Sequence, residues 1–229
     1  MNRMEEIGMN LLVMDARRPF RMPFLSCVES CAERPLAAIL CGGRSRRMGR
    51  DKALLPHPQG GSLLQHTCAL TLATGLETVC LSRPHQGHRR HLATATALRQ
   101  VTVLEEHPPW EGPLLALAKL MTSYPHRTVL LLACDLPNLT PSLLNALAAP
   151  LSPQRARLTT DGRQQQPLLA SYGADLAATL HQAVAAGVRS FRQWLPGLHV
   201  EWLRVPSPTL VNLNRPQDLV AATHDHRHS

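Results

Sequence analysis

The chain alternates short, continuous apolar runs with longer stretches in which apolar residues recur at helical spacing. Leu36–Cys41 is the first run, and it predicts a buried strand. Ser62–Ala73 carries Leu63, Leu64, Cys68, Leu70 and Leu72 behind Ser62, a residue type suited to capping, and predicts a helix. Thr78–Leu81 predicts a second strand, 85–98 a helix, and Val101–Leu104 a third strand. Gly112-Pro113 opens a further helix, because proline fits the first turn, with Leu114, Leu115, Leu117, Ala118 and Met121 on its apolar face. Thr128–Ala133 is the most continuous apolar run, as a central parallel strand requires. Thr140-Pro141 starts a helix that runs to about Ala148.

Strand–helix alternation of this kind predicts an α/β fold: a three-layer sandwich, a mostly parallel Rossmann-like sheet with helices on both faces. Right-handed crossovers follow from chirality, and ligands belong at the carboxyl ends of the strands. That rule gathers Gly42, Ser82, Glu105, Glu106 and Asp135 along one edge, far apart though they are in sequence. The second half is less regular. Arg157–Thr160 and Pro167–Tyr172 predict strands around the turn Asp161-Gly162. Helices are predicted over Ala174–Ala186 and Ser190–Leu195, strands over Leu198–Val205 and Leu210–Leu213, and a last helix from Arg215. Residues 1–34 lack periodicity and read as a loosely ordered N-terminal extension. Residues 35–223 read as one domain, and 224–229, with alternating histidines, as a disordered tail.

Composition narrows the picture. Hydrophobic residues make up 44% of the 229 and aromatic residues 3%, so the core is expected to be mainly Leu, Ala and Val. The formal charge of +8 favours anionic partners. Few stacking aromatics and no recognisable module argue against nucleic acid. No segment reaches the roughly 18 apolar residues that span a membrane, and residues 1–34 lack a signal-peptide core, so no membrane association and a cytoplasmic location are expected. Of six cysteines, Cys41, Cys80 and Cys134 end apolar runs, which fits buried free thiols. Cys27 and Cys31 lack the second ligand pair that a closed zinc site needs.

The candidate chemistry begins where the first strand stops. Gly42-Gly43 opens a loop carrying Arg44, Arg46, Arg47 and Arg50, with Gly49 and then Asp51-Lys52. Glycines admit backbone N–H groups close to an anion, and Arg and Lys supply charge, so the stretch is suited to phosphates. It is not a Walker A loop, because Arg50 follows Gly49 and Ala53 follows Lys52. It is not a dinucleotide G-x-G-x-x-G loop either.

The run Leu40-Cys41-Gly42-Gly43-x-Ser45-x-Arg47-Met48-Gly49-x-Asp51-Lys52 resembles the signature of the nucleotidyltransferase superfamily that includes the molybdenum cofactor guanylyltransferases, with Cys41 where alanine is usual. The resemblance continues in order through Glu111-Gly112-Pro113-Leu114, Cys134-Asp135-Leu136-Pro137, Gln166-Pro167-Leu168 and Asn212-Leu213-Asn214-Arg215-Pro216-Gln217-Asp218-Leu219. It implies the nucleotide-diphospho-sugar-transferase type of sheet. It implies catalytic roles for Lys52, Asp135 and Arg47. It implies nucleotide binding by Leu40, Cys41, Gly42, Gly43, Lys52, Cys80, Glu106 and Asp135, and Mg²⁺ held by Asp135. Cys80 and Glu106 stand where the family more often has Asn and Asp.

The resemblance further implies GTP and molybdopterin as substrates and molybdoenzymes or their chaperones as partners. A phosphate of the pterin would attack the α-phosphorus of GTP and displace pyrophosphate. Such a nucleophile is already anionic, so no general base is needed. The alternatives are a cytidylyltransferase on the same pterin, against which the Gly42-Gly43 pair argues by resemblance, and a non-catalytic carrier of nucleotide or cofactor.

Overall fold

A computed structural model describes residues 34–43, 50–106 and 112–213. The predicted extension, the His-rich tail, Cys27 and Cys31, Arg44, Arg46, Arg47 and Gly49 of the signature loop, Glu111 and the helix expected from Arg215 lie outside the described residues. The second predicted domain boundary, at 223/224, lies outside them as well, whereas Arg34 and Pro35, on either side of the first, are described.

Seven strands form one sheet in the order β3-β2-β1-β4-β6-β5-β7. The strands β1 (Leu36–Leu40), β2 (Thr78–Ser82), β3 (Thr102–Glu105) and β4 (Val129–Ala133) run parallel. Next to them, β6 (Gln165–Tyr172) is antiparallel to both β4 and β5 (Arg155–Thr160), and β7 (His199–Arg204) is parallel to β5. The reversal at β6 is local in origin. Asp161 Oδ1 accepts from the N–H groups of Arg163 and Gln164, both at 2.9 Å. Gly162 sits at φ +95°, where a side chain would be strained. Such a tight turn can join only antiparallel strands.

Helices α1 (Leu63–Ala73) and α4 (Pro141–Leu147) cover one face, and α3 (Pro113–Ser123), α5 (Leu176–Ala185) and α6 (Phe191–Trp194) the other. The three-layer α/β sandwich is therefore as predicted. Ile39, Leu130 and Leu132 pack with Leu64, Cys68 and Leu144 in one layer. Leu36, Ala38 and Leu131 pack with Leu117, Tyr172 and Trp194 in the other. β4 is apolar at every position because both of its faces are covered. Ser62 and Gln65 form a reciprocal capping box at 3.1 Å in each direction, which starts α1 where the sequence predicts it. Among the described residues no helix is long and apolar enough to cross a membrane.

Two predicted elements differ. The helix expected over 85–98 is α2 (His88–Leu92) followed by a 3-10 turn, Thr96–Leu98. His85 and Gly87 take left-handed φ values of +69° and +71°, which delays the start. The Thr94 hydroxyl donates to the His91 carbonyl at 2.7 Å and competes with helical continuation. The strand expected over Leu210–Leu213 is instead a 3-10 turn, Ser207–Leu210, followed by an irregular segment. Pro206 and Pro208 remove ladder donors, and the Leu213 N–H is used elsewhere, as follows.

Candidate functional site

β1 and β4 are neighbours, with Leu40 opposite Ala133, so their carboxyl ends lie side by side. Each leads into a charged residue. After β1 the chain returns at Asp51, whose carboxylate accepts from the Ala53 N–H at 3.0 Å and caps the 3-10 turn Lys52–Leu54. After β4 comes Cys134 and then Asp135. Lys52 Nζ meets Asp135 Oδ2 at 3.2 Å, with side chains 19% and 15% exposed. The pair is sheltered yet open to a ligand.

Asp135 is held from a third direction. Asn212 Nδ2 donates to its Oδ1 at 3.2 Å, and Gln166 Nε2 donates to Asn212 Oδ1 at 2.9 Å. The Leu213 N–H donates to the Asp135 carbonyl at 2.9 Å. Asn212 and Gln166 belong to segments that carry the family resemblance, but their union into one network with Lys52 needs the fold.

Just beyond the end of β1, Gly42 lies close to Arg83 and Glu106. The Cys41 N–H and thiol both donate to the Leu81 carbonyl, at 3.0 and 2.9 Å, tying the loop entrance to β2. The Glu106 N–H donates to the Ser82 carbonyl at 2.7 Å. A Cβ on Gly42 would stand 3.1 Å from Glu106 Oε2 and 3.4 Å from Arg83 Cγ and N. A side chain there fits only if the Glu106 carboxylate gives way by a few tenths of an ångström, whereas Gly43 has nothing within 4 Å of its would-be Cβ. Burial raises the Glu106 carboxyl above its usual range, and Lys119 and Arg83 pull it back in part.

Of the expected nucleotide-binding residues, Leu40, Cys41, Gly42, Gly43, Lys52, Glu106 and Asp135 lie at this edge. Arg47 is outside the described residues. Cys80 does not reach the edge, and this corrects the expectation. It is 0% exposed, two residues short of the β2 end, with its thiol 3.5 Å from that of Cys68. Its backbone is flanked by Ile39 of β1 and Val103 of β3. Cys41, Cys68, Cys80 and Cys134 are buried free thiols, as composition suggested. The hydrogen bond to Cys80 and burial raise the Cys68 thiol, and burial raises that of Cys134, so neither is primed as a nucleophile.

Sequence reasoning missed Gln86 and His88, which bind Asp51 Oδ2 at 2.9 Å each. It also missed an open pocket of about 300 Å³ lined by Gln165, Pro167, Arg192, Val200 and Trp202. Trp202 is 49% exposed. The pocket shares β6 with the Asp135 network, since Gln166 of that network lies between Gln165 and Pro167.

For a metal, no cluster of three or more His, Cys, Asp or Glu side chains exists among the described residues. Mg²⁺ bound with a nucleotide needs no such cluster, because it takes one or two carboxylates and fills its shell with phosphate and water oxygens. Asp135 is the fitting carboxylate, because Asp51 already accepts three hydrogen bonds.

Residues 37–200 match the MobA-like NTP transferase domain. The chain is 36% identical over 188 residues to the probable molybdenum cofactor guanylyltransferase of Trichormus variabilis, covering 80% of this chain and 87% of that protein. It is 34% identical over 185 residues to the molybdenum cofactor guanylyltransferase of Pseudomonas syringae pv. syringae, covering 78% and 88%. Among solved structures, a nucleotidyl transferase from Methanothermobacter superposes with a TM-score of 0.71 at 20% identity, over 86% of this chain and all of that one. The molybdopterin-guanine dinucleotide biosynthesis protein A of Archaeoglobus fulgidus superposes with a TM-score of 0.63 at 21% identity, over 84% and 99%. At these identities the two structures speak for the fold.

Proposed function

The chain belongs to the MobA-like NTP transferases and, within them, to the molybdenum cofactor guanylyltransferases, and from that premise we propose that it transfers GMP from GTP to molybdopterin with release of pyrophosphate. The observation that carries the reading is the Lys52–Asp135 pair, 3.2 Å apart at the ends of adjacent strands β1 and β4. A cation and a carboxylate so arranged divide the work on a Mg²⁺-nucleotide. Asp135, its carboxylate oriented by Asn212, would hold Mg²⁺. Lys52 exchanges Asp135 for a phosphate oxygen. Arg47, from the signature loop, joins it on the triphosphate. Mg²⁺, when bound, neutralises charge on the triphosphate and on the departing pyrophosphate.

The reaction needs positioning more than proton transfer. A phosphate oxygen of the pterin forms a bond to the α-phosphorus as the bond between that phosphorus and the bridging oxygen to the β-phosphorus breaks. Holding the attacking and leaving oxygens in line, beside fixed positive charge, supplies the catalysis. Glu106 and Arg83 receive the base beside Gly42. The pterin is assigned to the pocket of Trp202 and Arg192, where its ring system packs against the exposed indole.

The test is pyrophosphate release in the presence of molybdopterin, Mg²⁺ and each of the four common nucleoside triphosphates in turn. Release with GTP alone is expected. Equal release with CTP overturns the guanine assignment, and no release with any nucleotide leaves a carrier.

A further inference from the structure

We propose that His88 is a positioning residue that couples the triphosphate end of the site to its base end. The signature resemblance includes Asp51 and Lys52 but neither His88 nor Gln86. His88 is 1% exposed, and its ring lies between two segments that both reach the substrate edge. Nε2 stands 2.9 Å from Asp51 Oδ2, and Nδ1 stands 2.8 Å from Ser82 Oγ. A carboxylate only accepts, so Nε2 carries the hydrogen and donates. On the Asp51 side, the carboxylate also caps the turn that begins with Lys52. On the Ser82 side, the serine carbonyl accepts from the Glu106 N–H, and the next residue is Arg83. Gln86 runs a parallel link, accepting from the Arg83 N–H and donating to Asp51 Oδ2, both at 2.9 Å.

The order Ser82–His88–Asp51 has the composition of a hydrolytic triad but not its access. Ser82 is 2% exposed, so no substrate reaches its hydroxyl. The ring acts instead as a rigid strut. A displacement of Lys52 by the triphosphate is passed through Asp51 and His88 to Ser82, and so to Arg83 and Glu106. The turn at Lys52 and the segment at Ser82 and Arg83, 30 residues further on, then respond to one ligand together.

The imidazole has two ends, and amide side chains replace them separately. Glutamine reaches as far as Nε2, and asparagine as far as Nδ1. His88→Gln keeps the Asp51 contact, so it is expected to hold kcat within about threefold while raising the KM and Kd for GTP about tenfold. His88→Asn keeps the Ser82 contact and is expected to lower kcat about tenfold with little change in the Kd for GTP. His88→Ala combines both losses. Gln86→Ala, in a half-buried turn, tests the same coupling without opening the core. It is expected to raise the Kd for GTP severalfold, and to do so less when His88→Gln is already present.

A merely structural histidine predicts no such division: all variants would lose activity in proportion to the unfolded fraction. Equal effects of Gln and Asn, or folded Ala with wild-type constants, overturn the proposal. Where the His88 variants do not fold, an unchanged Kd in Gln86→Ala overturns it. The proposal rests on the site being that of a nucleoside triphosphate. Calorimetric Kd values for Mg²⁺-GTP decide it even if the wild type turns over no molybdopterin, a result that would count against the acceptor reading alone.

Discussion

Gly42→Ala separates packing from recognition at the base end. The added Cβ stands 3.1 Å from Glu106 Oε2 and at ordinary contact distance, 3.4 Å, from Arg83 N and Cγ. Only the carboxylate must yield, by a few tenths of an ångström, and it is the far end of a flexible side chain. Gly42 does not use a positive φ. Replacing such a glycine by alanine restricts the unfolded chain and stabilises by about 0.4–1 kcal/mol, which offsets a contact cost of similar size. Net stability should stay within about 1 kcal/mol, or about 2–4 °C in Tm. Recognition is affected more. A carboxylate displaced from the base weakens a charge-assisted hydrogen bond of about 1.5–3 kcal/mol, which corresponds to roughly a tenfold to hundredfold rise in the KM for GTP. The added Glu106→Asp change withdraws the carboxylate by one methylene and should restore part of the loss, a coupling that steady-state kinetics on the four members of the cycle would measure. An unchanged KM in Gly42→Ala, or a Tm lowered by 10 °C or more on the scale of roughly 2–4 °C per kcal/mol, would refute the reasoning.

Asp135→Asn should lower kcat about a thousandfold while leaving the fold intact, since Asn212 can still donate to the amide oxygen, and chelation of Mg²⁺ should abolish wild-type turnover reversibly. Turnover that survives chelation contradicts the role given to Asp135. Trp202→Ala should raise the KM for molybdopterin about tenfold and leave that for GTP unchanged, because loss of ring stacking is worth about 1–1.5 kcal/mol. Equal shifts in both constants would place the pterin elsewhere. Burial, and behind it the stacked His57 ring at 3.5 Å, lowers His66 to about 4. The unfolded chain then binds the proton more readily between pH 6.5 and 4, so stability present above pH 6.5 is lost as pH falls through that window. The half-exposed ring limits the effect to about 1 kcal/mol after screening. His66→Phe should narrow the difference in Tm between pH 7 and pH 4.5 by about 2–4 °C. No narrowing would contradict the assignment.

The sheet was legible wherever one residue type had one physical reason. Val129–Ala133 is apolar throughout because both faces are covered, and Asp161-Gly162 forces a hairpin through its own hydrogen bonds. Asp135 could be brought to the edge from topology alone. What stayed hidden depends on contacts made at a distance. The irregular path at 211–213 reflects an N–H donated to Asp135 rather than to a strand. Cys80 was misread because depth along a strand decides exposure, and pattern does not reveal that its thiol faces Cys68. Asn212 meets Gln166 from 46 residues away, and His88 meets Asp51 from 37, so no local periodicity could announce either.

The central claim is transfer of the α-phosphoryl group with its nucleoside. Incubation of the protein with molybdopterin, Mg²⁺ and GTP labelled at the α-phosphate tests it most directly. The account predicts that label appears on the pterin in equal amount to the unlabelled pyrophosphate released. Label left in GDP or GMP, with the pterin unlabelled, would contradict it.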